Sequence, residues 1–267
     1  MNLSSISVLG RPEQPWLVMI HGFGGSKNMW KRQIEYFRDD FNLLVVELPG
    51  HGACPCSMSA SREATIDTVA MSVIQLLLEK DIARANFLCV SLGSLVMAAI
   101  VRLCPEMVGS VLMCGAIFGM TRSTKWILKL GNLLKFFLPF TVMIQLLANI
   151  LMPRRSHKKS RVFLVDECKK LGRAEFIRWY SILVRELNLL KNNLSLFRGI
   201  HTLVVMGSED YVFLRKSIEA LIDYKNKVKL KFIKKCGHVC CLQKWREFNR
   251  MAGEFFLPAA QSAAVQR

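Results

Sequence analysis

Asn86-Phe-Leu-Cys-Val-Ser91-Leu-Gly93-Ser94-Leu-Val-Met97 carries an apolar run into a serine, turns at a glycine two residues on, and continues as an apolar helical pattern. The pattern reads as a strand, a sharp turn and a helix, with one hydroxyl left at the apex. A serine at such a turn is exposed. The helix behind it aims free N–H groups and the positive end of its dipole at any oxyanion formed beside the hydroxyl. Taken alone, Ser-x-Gly is a common pairing, and Ser91 also reads as an ordinary turn serine. Its weight comes from what flanks it.

Toward the N-terminus two more apolar runs, Trp16–Ile20 and Asn42–Glu47, read as buried strands. The first ends in His21-Gly-Phe-Gly-Gly-Ser26, a glycine-rich loop whose backbone N–H groups are free to face a ligand. The second ends in Leu48-Pro-Gly-His-Gly52, which is turn chemistry. A short strand over residues 6–9 precedes them. Residues 29–37 fit a helix, and 63–80 have helical periodicity through Ile66, Val69, Val73 and residues 76–78. Toward the C-terminus, Val108–Cys114, residues 201–206 and Val228–Ile233 read as strands, the last two ending at Gly207-Ser-Glu-Asp210 and Cys236-Gly-His238. A closing helix over 242–256 precedes a small-residue tail expected to lack order. Strands alternating with helical patterns predict an α/β fold with a mainly parallel sheet covered on both faces. Functional loops gather at the C-terminal strand ends of such sheets. Ser91, Asp210 and His238 fall at such ends, as do His21 and His51.

Between 118 and 195 the alternation breaks. Residues 126–152 are strongly apolar, and 136–152 carry no charge. Basic residues crowd both sides: Arg122, Lys125, Lys129 and Lys135 before, then Arg154, Arg155, Lys158, Lys159 and Arg161. A helical stretch with Trp179 and Tyr180 follows over 162–192. The uncharged run approaches the lower length of a membrane-spanning helix. Pro139 interrupts it, however, and a span would part Ser91 from the later strands. Two readings remain. The segment packs on the sheet, or it is a helical cap over 118–195 inserted into a core of 1–117 and 196–267. Such a cap would line an acyl pocket with its apolar face and present its basic rim to an anionic partner.

The charge needs an account: 37 Lys+Arg against 20 Asp+Glu give +17. That excess predicts attraction to an anionic membrane surface, an acidic carrier protein or nucleic acid. With no recognition motif and no strand face of interleaved aromatic and basic residues, nucleic acid is set aside. A hydrophobic content of 52% over 267 residues excludes a disordered chain. Nine scattered cysteines, an odd number, read as reduced thiols, and the N-terminus lacks the pattern of a secretory leader. The expectation is a cytoplasmic protein, at most peripherally associated with a membrane. Cys236, Cys240 and Cys241, and the pair Cys54 and Cys56, lack the paired spacing of structural zinc sites, so no metal is expected.

The order Ser91, Asp210, His238 is the nucleophile, acid, base order of one convergent hydrolase type. With His21-Gly-Phe-Gly-Gly, Leu48-Pro-Gly-His-Gly, the Ser91 turn, Gly207-Ser-Glu-Asp and Cys236-Gly-His, the chain resembles the α/β-hydrolase-fold serine esterases, lipases and thioesterases over nearly its whole length. The resemblance implies Ser91 as nucleophile, His238 as general base and Asp210 as the residue orienting the imidazole. It also implies an oxyanion hole made by the backbone N–H groups of Phe23 and Leu92, no cofactor, and a small acyl ester or thioester as substrate. Glu209 stays open as an alternative acid. His21 and His51 are expected to be structural, and His157 and His201 to carry no role. The sequence departs from the family pattern at Cys89, where the family usually has glycine, and at Ser94, where many members have a second glycine. An acyltransferase using the same three residues, and a binding protein without catalysis, remain as other functions of the fold.

Overall fold

The computed structural model describes residues 3–52, 54, 65–134, 137–224 and 227–265. Cys56, Glu63, Lys135 and Phe136, used in the sequence reading, lie outside them.

Among the described residues seven strands form one sheet: β1 (Ser4–Val8), β2 (Trp16–Ile20), β3 (Asn42–Glu47), β4 (Ala85–Val90), β5 (Val108–Cys114), β6 (His201–Gly207) and β7 (Val228–Ile233). Their order is β1-β3-β2-β4-β5-β6-β7; β1 runs antiparallel to β3 and every other pair is parallel. Each of β2 to β6 contains an apolar run of four or more residues, buried because helices cover both faces. β7 is an edge strand, and there Lys229 and Lys231 interrupt the apolar pattern, a charge pattern that discourages further strand pairing.

On one face lie α2 (Ile66–Glu79) and α3 (Leu92–Leu103), which pack on each other. Thr65 and Thr68 form a reciprocal capping box that starts α2 at Ile66. The other face is covered by α1 (Lys31–Phe37) and the C-terminal helix, whose Phe248 and Phe256 join Phe37 and Phe41 in a second core.

Among the described residues five α-helices stand between β5 and β6: α4 (Arg122–Leu134), α5 (Phe140–Leu151), α6 (Lys158–Leu171), α7 (Arg173–Arg185) and α8 (Leu189–Asn192). The apolar run is therefore two helices of 13 and 12 residues, with Pro139 as the N-cap of α5. Among the described residues no helix is long and apolar enough to cross a membrane. The single helical stretch read over 162–192 is split, first at Gly172 and again after Arg185. After β6 come α9 (Leu214–Leu221), then β7, a short α10 (Cys240–Gln243) and α11 (Trp245–Val265). α11 continues past 256 through the tail expected to lack order, where alanines favour helix.

Candidate active site

Ser91 sits between the last residue of β4 and the first of α3, with φ 52° and ψ −114°. A positive φ on a non-glycine residue is strained by about 1–3 kcal/mol and persists only where neighbours hold it. Here they do. The Ser91 N–H donates to the Cys114 carbonyl at the end of β5 (3.0 Å), and its own carbonyl accepts from the Ser94 N–H (2.8 Å) and hydroxyl (2.6 Å). Ser94 thus ties the turn, and its hydroxyl also accepts the Ile117 N–H at 3.1 Å. Gly93 is required by close approach: a Cβ there would lie 2.6 Å from the Ile20 carbonyl oxygen and 3.0 Å from that of His21. Cys89, two residues before Ser91, is enclosed in the core, where burial pushes its thiol well above the usual range.

The loops after β6 and β7 bring the other two residues to this apex. The Ser91 hydroxyl lies 2.8 Å from His238 Nε2, and His238 Nδ1 lies 2.7 Å from Asp210 Oδ2. With the Nδ1 proton on the carboxylate side, Nε2 is left to accept the Ser91 O–H. The second Asp210 oxygen accepts the Phe213 N–H at 3.1 Å, which fixes the carboxylate plane. Both Asp210 and His238 are buried. Burial acts to lower the His238 pKa, but the charge and hydrogen bond of Asp210 outweigh it, so the net shift from 6.5 is upward.

Glu209 points elsewhere. Its carboxylate meets His157 Nε2 at 2.9 Å and Arg154 at 3.1 Å, so Asp210 alone of the two faces His238. His157, expected to carry no role, has a place in the packing. It is fully buried, and a Cβ on Gly237 would fall 2.8 Å from its ring, so it packs directly beneath the turn that presents His238. Its neighbours in the sequence are basic and exposed, and nothing in that context signals a buried imidazole. His201 stacks on Phe255 at the far end of β6.

The loop after β2 lies beside Ser91 and is pinned by two buried imidazoles. His21 donates from Nδ1 to the Gly22 carbonyl (2.8 Å) and accepts the Leu48 N–H at Nε2 (3.0 Å). His51 accepts the Gly24 N–H at Nε2 (3.0 Å) and donates to the Pro49 carbonyl (3.1 Å). Burial lowers the first to about 4 and the second well below 6.5, so both are neutral and play the structural part expected of them. The loop they hold contains Phe23, and the helix that Ser91 caps begins at Leu92. Neither the Phe23 nor the Leu92 N–H is spent on another protein group among the described residues.

Above Ser91 and His238 opens an apolar cavity walled by Met120, Leu128, Leu147, Leu164 and Phe213. Leu128, Leu147 and Leu164 come from α4, α5 and α6, so the segment between β5 and β6 supplies much of the wall. Ser160 also faces the cavity, with its buried hydroxyl unpartnered. Behind His238, the Cys114 thiol contacts those of Cys240 and Cys241, and Cys240 that of Cys236. All four are buried free thiols, and among the described residues no group of three or more His, Cys, Asp or Glu is arranged to hold a metal ion.

Comparison with known proteins gives the same architecture. The sequence profile of the alpha/beta hydrolase family matches residues 17–251. A 2-succinyl-6-hydroxy-2,4-cyclohexadiene-1-carboxylate synthase of Pectobacterium atrosepticum is 42% identical over 82 residues, 31% of this chain and 30% of that protein. A 3-oxoadipate enol-lactonase 2 of Acinetobacter baylyi is 32% identical over 89 residues, 33% of this chain and 32% of that one. The chain thus spans about a third of the length of the curated relatives it matches. A solved structure from a study of carboxylesterases of Nitrososphaera gargenis superposes with a TM-score of 0.80 at 16% identity, covering 97% of this chain and 96% of that one, which is a likeness of fold.

Proposed function

The chain belongs to the alpha/beta hydrolase family, and from that premise we propose that it is a serine hydrolase cleaving a carboxylic ester or thioester with a hydrophobic acyl group. The observation that carries this is the hydrogen-bonded chain from Ser91 through His238 to Asp210, opening into an apolar cavity. An enol-lactonase among the relatives and a carboxylesterase study among the similar folds support acyl chemistry.

Ser91 Oγ attacks the carbonyl carbon while His238 Nε2 takes its proton. Asp210 holds the tautomer and stabilises the imidazolium. The carbonyl oxygen becomes an oxyanion facing the Leu92 and Phe23 N–H groups, at the positive end of the α3 dipole. As the intermediate collapses, His238 returns its proton to the leaving oxygen or sulfur, and the acyl group stays on Ser91. A water molecule, deprotonated by His238, then attacks the acyl-enzyme and releases the acid. An alcohol or thiol in place of that water would make the same site an acyltransferase. Helices α4 to α8 serve as the cap, their apolar faces accepting the acyl chain.

Labelling with a fluorophosphonate probe, wild type against Ser91→Ala, tests the nucleophile. The wild type should be labelled and the variant not; a folded wild type left unlabelled would refute the mechanism. A p-nitrophenyl ester panel tests the pocket, with octanoyl favoured over acetyl in kcat/KM. Equal turnover of the two would remove the acyl-pocket assignment.

A further inference from the structure

The outer face of the α4–α5 segment is built the wrong way round for water. On α4 the inward positions are Leu128, which lines the cavity, and Gly131, against which the Tyr180 hydroxyl lies as it donates to the Leu128 carbonyl (2.7 Å). The opposite face, at i, i+4 and i+7, is Trp126, Leu130 and Leu133, exposed by 72%, 55% and 63%. Phe137, Val142 and Leu146 extend this exposed apolar series into α5. Isolated exposed apolar side chains are ordinary, but six within 21 residues of sequence form a patch that calls for a partner.

Charge says which partner. Between Glu106 and Asp166 the sequence has no carboxylate and nine cations: Arg122, Lys125, Lys129, Lys135, Arg154, Arg155, Lys158, Lys159 and Arg161. More than half of the +17 excess therefore sits in this one segment. Of these, Arg154 is engaged by Glu209. Lys129 lies over the Trp126 ring, 5.6 Å from its centroid, pairing an aromatic and a cation as helices lying in a membrane interface do. At the start of α4, Arg122 and Lys125 join Lys191 and Lys216 around a second concavity, which shares Met120 with the cavity above Ser91. The same helix pair thus carries apolar anchors, a basic rim and the wall of the candidate active site.

We propose that the outer face of α4 and α5 docks on an anionic lipid surface, Trp126, Leu130 and Leu133 entering the apolar boundary while Arg122, Lys125 and Lys129 meet phosphate headgroups. An acyl substrate dissolved in the bilayer would then reach the cavity without crossing water. Docking itself does not depend on the hydrolase assignment, and its test reads binding alone.

The experiment is flotation of the full chain with phosphatidylcholine vesicles, with and without about a third phosphatidylglycerol. The wild type should float with anionic vesicles, weakly with neutral ones, and less as salt rises. Trp126→Ser/Leu130→Ser/Leu133→Ser should lower partitioning at least tenfold, and Arg122→Glu/Lys125→Glu should abolish the preference for anionic lipid. Leu78→Ser on α2, a site of similar exposure at 61%, is the control and should float as the wild type does. Circular dichroism confirms that each variant is folded. Failure of the wild type to float, or flotation unchanged in the triple variant, overturns the proposal. So does a self-associating or carrier-protein-bound chain that loses its partner in the triple variant yet never floats. Fluorophosphonate labelling in the same samples reports the hydrolase assignment separately.

Discussion

Acid should weaken this protein through His21, and the size of the effect follows from its surroundings. His21 is fully buried, and burial, opposed by the Gly22 carbonyl and by Glu47 and Glu167, lowers its pKa from 6.5 to about 4. A histidine depressed in the folded state contributes stability that is complete above the unfolded pKa. That stability is lost as pH falls toward the folded value, because the unfolded chain takes up the proton first. With 6.5 unfolded and about 4 folded, the loss between pH 7.5 and pH 5 is about 2 kcal/mol, growing to about 3.4 kcal/mol below pH 4. Against a total of roughly 5–15 kcal/mol this is easily measured. His51, lowered in the same way, adds to the loss. His238 is raised, so its contribution is held below pH 6.5 and lost as pH rises through its folded pKa, the opposite sign.

His21→Asn isolates the first effect, since its amide can take the Nδ1 position beside the Gly22 carbonyl and does not titrate, while loss of the Leu48 contact is the same at every pH and cancels from the comparison. Urea unfolding followed by tryptophan fluorescence at pH 7.5, 6.5, 5.5 and 5 should show the wild type losing about 2 kcal/mol more than the variant over that range. Losses that agree within about 0.5 kcal/mol would show that His21 is not held neutral by burial. A native-state ring that titrates near 6.5 by NMR would say the same directly.

Three further outcomes concern the candidate active site. The raised His238 pKa places the acid limb of kcat/KM above pH 6.5, since only the neutral ring accepts the Ser91 proton, and Asp210→Asn should move that limb down while cutting kcat by about 10³-fold or more. Gly93→Ala sets a Cβ 2.6 Å from a strand carbonyl that cannot give way, so kcat should fall at least about tenfold with Tm lowered, as overpacking costs about 1–3 kcal/mol. Ser94→Ala leaves the buried Ile117 N–H without an acceptor and should cost about 1–3 kcal/mol in urea unfolding.

Much of this architecture was legible because the sheet is buried on both faces. Runs such as Leu43-Leu-Val-Val46 and Val111-Leu-Met-Cys114 have no polar alternation to confuse them, and each strand expected from them is present. What the sequence hid lies where one apolar run serves two environments. Residues 126–152 look like one hydrophobic stretch interrupted at Pro139, yet the structure turns Met143, Ile144, Leu147 and Ala148 inward while Val142 and Leu146 face out. Composition cannot divide such residues between an inner and an outer face. The same limit hid His157, whose burial depends on Glu209 and Gly237, residues more than fifty positions away.

The departures at the turn show why matching a motif is not the same as understanding it. A glycine at 94 would suit a crowded helix start, and read by pattern alone the serine there is a flaw. In the structure its hydroxyl and N–H both reach the Ser91 carbonyl, and the Ser91 N–H reaches Cys114. Three hydrogen bonds of roughly 0.5–1.5 kcal/mol each stand against strain of about 1–3 kcal/mol at Ser91, so the two are of equal order. In this chain, Ser94 belongs to the apparatus that keeps the Ser91 backbone at positive φ. Its loss should therefore reach the position of Ser91 Oγ as well as the stability of the helix.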